Sequence, residues 1–174
     1  MNDNKKKIRL IVYSGVIAAL YVVLTLPMAQ FAFGPIQFRL AEVLTVLPAF
    51  AAGYIPGVSL GCFLANLLNP NNLGPVDIIG GTLATVIAGI FTRILGKKNK
   101  LLGIIPPVVF NGLIVGGYLP FLLVDESSEV TAAAVGLSMF EVAASEAVLL
   151  VVVGIPFILL IEKNSRLKSL VEKL

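Results

Sequence analysis

A chain of 174 residues that is 57% hydrophobic and only 13% charged cannot coat a soluble surface, since an ordinary globular domain is about a quarter charged; with a mean hydropathy of +0.97, lipid must be the solvent for much of it. A single cysteine, Cys62, and no histidine exclude an internal disulfide, a Cys/His metal site and a histidine general base. The net charge of +3 does not point to nucleic acid, because the Lys and Arg residues flank apolar runs instead of lining an amphipathic polar face.

A helix crossing the hydrocarbon core needs about 20 apolar residues. The first such run, residues 8–29, follows a basic N-terminus and lacks a small-residue cleavage site before a soluble domain, so it reads as a retained first span. Residues 30–40 interrupt it, with Gly34 and Pro35 as breakers. The block 41–68 is too long for one span. Pro56 suits the first turn of a new helix and divides the block into short helices at 41–52 and 55–68. A polar loop, 69–75, precedes a fourth helix at 76–95. A basic loop, 96–100, leads to a fifth at 101–124, and an acidic loop, 125–129, to a sixth at 131–161. The tail from Glu162 onward is charged and reads as a helical extension. The expected fold is all-α: one transmembrane domain, 1–174, of about six transmembrane helices.

Charge placement favours that count. With six spans both termini share a side. Lys5, Lys6, Lys7 and Arg9 then lie with Arg93, Lys97, Lys98 and Lys100, and with Lys163, Arg166, Lys168 and Lys173; Arg39 alone lies opposite. The positive-inside rule makes the basic side, and so both termini, cytoplasmic. Five or seven spans would scatter these charges. The outer loops are 30–40, 69–75 and 125–129.

Ionisable groups near a bilayer core are expensive and default to functional candidates. Arg39, Glu42, Asp77, Glu141 and Glu146 all fall toward the outer side. The amides Gln37, Asn66, Asn69, Asn71 and Asn72 gather at the same level, with Asn111 deeper in the fifth helix. This layout predicts a pocket open to the outside for a polar, cationic small molecule. Plainer readings stand beside it. Glu42 and Asp77 sit where helix N-termini accept a carboxylate. Arg39 is spaced to pair with Glu42, and Asn111 suits interhelical hydrogen bonding. Glu141 and Glu146, five residues apart, point roughly 140° apart on a helix and so do not form one catalytic pair.

In the first helix, Ser14/Ala18 and Gly15/Ala19 have small-xxx-small spacing, which permits close helix approach in lipid. The partner is either another helix of the chain or a separate protein. No phosphate-binding GxxxxGK loop, nucleophile elbow or metalloprotease helix occurs, and no inverted repeat is evident. An enzyme is not expected, nor a metal or other cofactor.

The run Phe33-Gly34-Pro35-Ile36-Gln37-Phe38-Arg39-Leu40-Ala41-Glu42-Val43-Leu44-Thr45-Val46-Leu47-Pro48 is distinctive. With Gly61-Cys62-Phe63-Leu64-Ala65-Asn66-Leu67-Leu68 and Asp77-Ile78-Ile79-Gly80-Gly81-Thr82-Leu83-Ala84-Thr85, it resembles the QueT family of substrate-binding S components of energy-coupling factor (ECF) transporters. The resemblance implies a six-helix plasma-membrane protein that captures its substrate on the outer face. It implies docking, through the first helix, onto a transmembrane coupling subunit driven by two cytoplasmic ATPases, with toppling of the S component delivering the substrate inward. S components often carry an Ala-xxx-Ala face there; Ser14/Ala18 and Gly15/Ala19 keep the small-residue geometry. The implied substrates are queuosine precursors, 7-deazaguanine bases. Their pairing edge presents N–H donors that a carboxylate accepts well, and an aminomethyl cation on some of them suits a second carboxylate. Phe31, Phe33, Phe38 and Tyr118 offer rings for stacking. The candidate binding set is Gln37, Arg39, Glu42, Asn66, Asn69, Asp77, Asn111, Glu141 and Glu146. Alternatives are an S component for a different vitamin, or a structural or regulatory membrane protein with no ligand.

Overall fold

A computed structural model describes residues 3–33, 37–71, 73–123 and 129–173. The expected breakers Gly34 and Pro35, the amide Asn72 and most of the acidic loop lie outside the described residues. Regular structure among the described residues is entirely helical. We label six apolar helices in chain order: α1, Asp3–Ala32; α2, Leu40–Ala49; α3, Ala52–Leu67; α4, Pro75–Gly96; α5, Lys100–Leu123; and α6, Ala132–Lys163. A short α7, Ser165–Val171, follows.

Four of these, α1, α4, α5 and α6, are long and apolar enough to cross a membrane. The other two are not. The ten residues of α2 are wound as a 3-10 helix, which at about 2.0 Å per residue reaches only about 20 Å, short of a hydrocarbon core of about 30 Å. Instead α2 is the axis of the protein: every residue from Ala41 to Ala49 is buried. A helix surrounded on all sides shows no polar stripe, which is why its sequence is apolar throughout apart from Glu42 and Thr45.

The distribution of polarity is inverted relative to a soluble protein. Ile11, Val23, Phe121, Phe140 and Val152 are each more than half exposed, whereas Arg39, Glu42, Asn66, Asp77 and Glu146 are buried. An apolar exterior around a polar interior is stable only where lipid covers the outside.

Helix α1 lies on α3 through small residues. A Cβ added at Gly61 would sit 2.5 Å from the Cβ of Tyr21 and 3.2 Å from the Cα of Ala18; one at Gly57 would sit 3.1 Å from the Cα of Ser14. The Ser14/Ala18 stripe is therefore packed inside the chain, against a Gly-xxx-Gly pair. Gly15 and Ala19 face outward, and an added Cβ at Gly15 would meet nothing within 4 Å.

Basic side chains collect where α2 ends. Arg93 Nη1 donates to the carbonyls of Ala49 (3.1 Å) and Phe50 (2.7 Å), and Lys100 Nζ donates to that of Ala49 (2.9 Å). These are C-terminal carbonyls with no partner within the helix, where a cation is favoured. Val171 of α7 packs into the same core region, and Asn164 Oδ1 caps α7 by accepting from the backbone N–H groups of Arg166 and Leu167.

Candidate functional site: an enclosed polar cavity

Five helices and one extended segment converge on a single polar cavity. Gln37 and Arg39 come from the segment before α2, and Glu42 from its first turn. Cys62 of α3, Gly81 and Thr85 of α4, Asn111 and Val115 of α5, and Val142 and Glu146 of α6 complete the wall. The free volume is about 10 Å³, about what one water needs, whereas small-molecule pockets are commonly about 300–1,000 Å³. Admitting a heterocyclic base requires the wall to open.

The backbone at Arg39 is extended (φ −104°, ψ 102°), because the helix begins one residue later. That conformation turns the side chain away from Glu42. Arg39 Nε donates to the carbonyl of Ala32 (2.8 Å) and Nη1 to Asn66 Oδ1 (3.0 Å), while the guanidinium lies 4.6 Å from the centre of the Phe33 ring. The expected Arg39–Glu42 ion pair is replaced by a strut joining the end of α1 to α3. Asn66 in turn donates to the carbonyl of Asp77 (2.8 Å). Gly81 allows this: a Cβ there would lie 2.6 Å from Asn66 Nδ2.

Glu42 is held from behind. The hydroxyl of Tyr21, fully buried on α1, donates to Glu42 Oε1 (2.5 Å). Asp77 Oδ1 accepts from the hydroxyl of Tyr118 (2.8 Å). Neither carboxylate serves as a helix cap: each accepts from a tyrosine hydroxyl through one oxygen, and the other oxygen has no partner. Ser145, beside Glu146, donates to the carbonyl of Gln37 (3.0 Å) and so ties the extended segment to α6. Asn111 lines the same cavity as Glu42 and Glu146. It opens a π-helical turn, Asn111–Val115, a distortion common at functional sites.

The wall carries an unusual set of buried polar atoms without partners: the donors Gln37 Nε2 and Arg39 Nη2, and the acceptors Glu42 Oε2 and Glu146 Oε1. Leaving such atoms unpaired costs about 1–3 kcal/mol each, more when charged. A polar ligand with donors and acceptors on its rim would relieve all four.

Five of the candidate residues line the cavity: Gln37, Arg39, Glu42, Asn111 and Glu146. Asn66 and Asp77 stand behind Arg39. Asn69 is buried away from the cavity, where its Oδ1 accepts from the Asn71 backbone in a turn. Glu141 is partly exposed and off the cavity. None of the four candidate stacking rings lines it either: Phe31 and Phe38 are exposed, Phe33 underlies Arg39, and Tyr118 is bound to Asp77. Tyr21, Cys62 and Thr85 were not foreseen in the site. A tyrosine hydroxyl inside an apolar span needs a polar partner, and that requirement was the available clue to Tyr21.

These features define a class: a helical protein with helices of membrane-spanning length and composition, arranged around an enclosed cavity lined by charged side chains. Residues 11–163 match the QueT transporter family, and the chain belongs to that family. It is 39% identical over 85 residues to the queuosine precursor transporter QueT of Lactococcus lactis subsp. cremoris (strain MG1363). That alignment covers 48% of each protein, so the similarity spans about half the length of this curated relative. No solved structure matches the chain.

Proposed function

We propose that this protein is the substrate-capturing S component of an ECF-type transporter, and that its substrate is a queuosine precursor, a 7-deazaguanine base. The observation that carries the reading is the ring of unpartnered atoms, two donors on Gln37 and Arg39 and two acceptors on Glu42 and Glu146, around one buried cavity. A deazaguanine offers the complement: N–H groups on its pairing edge for carboxylates, and a carbonyl oxygen for Arg39 or Gln37. Family membership and the name of the relative support the same substrate class.

In this reading all six apolar helices lie within the plasma membrane, with α2 enclosed by the others and α3 turning Leu60, Phe63 and Leu67 outward to lipid. The basic end, with both termini, faces the cytoplasm, and the cavity opens outward. The chain has no ATPase motif, so energy comes from two ATPase subunits acting through a transmembrane coupling subunit. Of the two small-residue stripes on α1, Gly15/Ala19 is the one available to that partner. Gly15→Leu or Ala19→Leu is expected to abolish co-purification with the coupling subunit while leaving ligand affinity within about twofold, because surface changes away from structural features are usually within about 0.5 kcal/mol. Intact assembly in both variants removes the docking role.

The direct test is isothermal titration of the purified protein with queuine and 7-aminomethyl-7-deazaguanine, with guanine and thiamine as controls. Tight binding of the deazaguanines alone is expected. Binding of thiamine or another vitamin in their place would reassign the cargo and leave the S-component architecture standing.

A further inference from the structure

Two buried carboxylates face the same cavity, yet the structure makes them unequal. Glu42 has one oxygen, Oε1, engaged by the Tyr21 hydroxyl, while its Oε2 is buried without a partner. Glu146 receives no hydroxyl or cation from the described residues, and its Oε1 is buried without a partner. The described residues form no ion pair to either. The one cation in the wall, Arg39, has Nε and Nη1 directed to Ala32 and Asn66 instead. Among the described residues the wall therefore holds two carboxyl groups and one cation. Cys62, Thr85 and Asn111 are neutral donors or acceptors and do not change that balance.

We infer that the two carboxylates divide the ligand between them: Glu146 accepts the paired N–H donors of the guanine-type edge, and Glu42, with one oxygen engaged by Tyr21, pairs with a protonated amine elsewhere on the same ligand. The warrant is geometric. Two parallel N–H donors are best met by both oxygens of one carboxylate, and Oε1 of Glu42 is already engaged by Tyr21. A compact ammonium needs just one oxygen, and a wall with two carboxyl groups and one cation favours it. Tyr21 is thus a positioning residue that acts through Glu42. The preferred ligand is a deazaguanine bearing an aminomethyl cation, above its neutral nitrile counterpart. This inference rests on the deazaguanine reading proposed above.

The test uses four ligands on the full-length purified protein: 7-deazaguanine, 7-deazahypoxanthine (which lacks the 2-amino group), 7-aminomethyl-7-deazaguanine and 7-cyano-7-deazaguanine. Two affinity ratios are read, one for the 2-amino group and one for aminomethyl over cyano. Each ratio is internal to one protein, so a general loss of stability cancels. In the wild type each is expected at roughly 10- to 100-fold, the range for one hydrogen bond to a charged group. Glu146→Gln should collapse the 2-amino ratio toward unity and spare the other. Glu42→Gln should do the reverse, and Tyr21→Phe should lower only the aminomethyl ratio, by several-fold. If a Gln variant does not fold, Glu146→Asp and Tyr21→Phe carry the same comparison. Both ratios falling together in each variant, or the opposite assignment, would overturn the division of labour while leaving the deazaguanine site intact. A wild type that binds none of the four ligands sinks the substrate reading and this inference with it.

Discussion

Replacing Arg39 with alanine is expected to remove ligand binding altogether and to destabilise the protein by about 2–6 kcal/mol, at about 1–3 kcal/mol for each of the two buried acceptors left unpaired. Three things are lost at once. The carbonyl of Ala32 and the side chain of Asn66 lose a charged donor. The end of α1 is no longer tied to α3. The cavity keeps Glu42 and Glu146 but no cation to offset them. Arg39→Lys should rescue little, because an ammonium is a single charge on a flexible stem and cannot reproduce a planar fork that bonds to both Ala32 and Asn66. Unfolding in detergent, read beside titration with 7-aminomethyl-7-deazaguanine, checks both parts. An Arg39→Ala protein with an unchanged melting temperature would contradict the strut, and retained affinity would contradict the site.

The course of the chain was legible because its punctuation is chemical. Pro56 falls in the first turn of the α-helical segment Ile55–Leu67, where a missing N–H costs nothing, so that boundary could be read directly; Pro75 holds the same place in α4 but reads in the sequence as the end of the loop 69–75. Six apolar segments were likewise visible, but not that only four reach span length. The difference lies in α2 and α3: an apolar run does not reveal whether it spans the bilayer or sits short among other helices, and the tighter 3-10 winding of α2 shortens it further.

In the site, sequence reasoning could find the polar residues but not their partners. Arg39 and Glu42 are spaced for an ion pair only if both lie on one helix; α2 starts at Leu40, and the extended residue before it sends the guanidinium to Ala32 and Asn66. Tyr21 and Glu42 are 21 residues apart on different helices, a separation that no local period encodes. Glu146 and Glu141 could be told to diverge, since five residues is a poor helical repeat, but which of them turned inward depended on how α6 packs. The two stripes of α1 were equally good by spacing. What separated them was the glycine pair of α3, which accepts one stripe and leaves the other outside.

That glycine pair supports the second large effect. Glycine to alanine in a helix interior ordinarily stabilises by about 0.5–1 kcal/mol, so the sign of the change reports the space around each position. At Gly15, with nothing within 4 Å of an added Cβ, alanine should be neutral or stabilising. At Gly57 the methyl would sit 3.0 Å from the Cβ of Ile17 and 3.1 Å from the Cα of Ser14, and the propensity gain should be cancelled. At Gly61 it would lie 2.5 Å from the Cβ and 2.8 Å from the Cγ of Tyr21. Neither atom is the free end of a flexible chain, so α1 itself must move. Overpacking of this kind costs about 1–3 kcal/mol, and in lipid no hydrophobic force between the helices opposes their separation. The shift carries the Tyr21 hydroxyl away from Glu42, so Gly61→Ala should also lose ligand affinity by about tenfold, although Gly61 itself does not line the cavity. Thermal unfolding in detergent should therefore rank Gly15→Ala at or above wild type, Gly57→Ala near it and Gly61→Ala last. A Gly61→Ala protein that is destabilised yet binds with full affinity would show that α1 can move without disturbing Glu42, and would separate the packing role of Tyr21 from its role in the site.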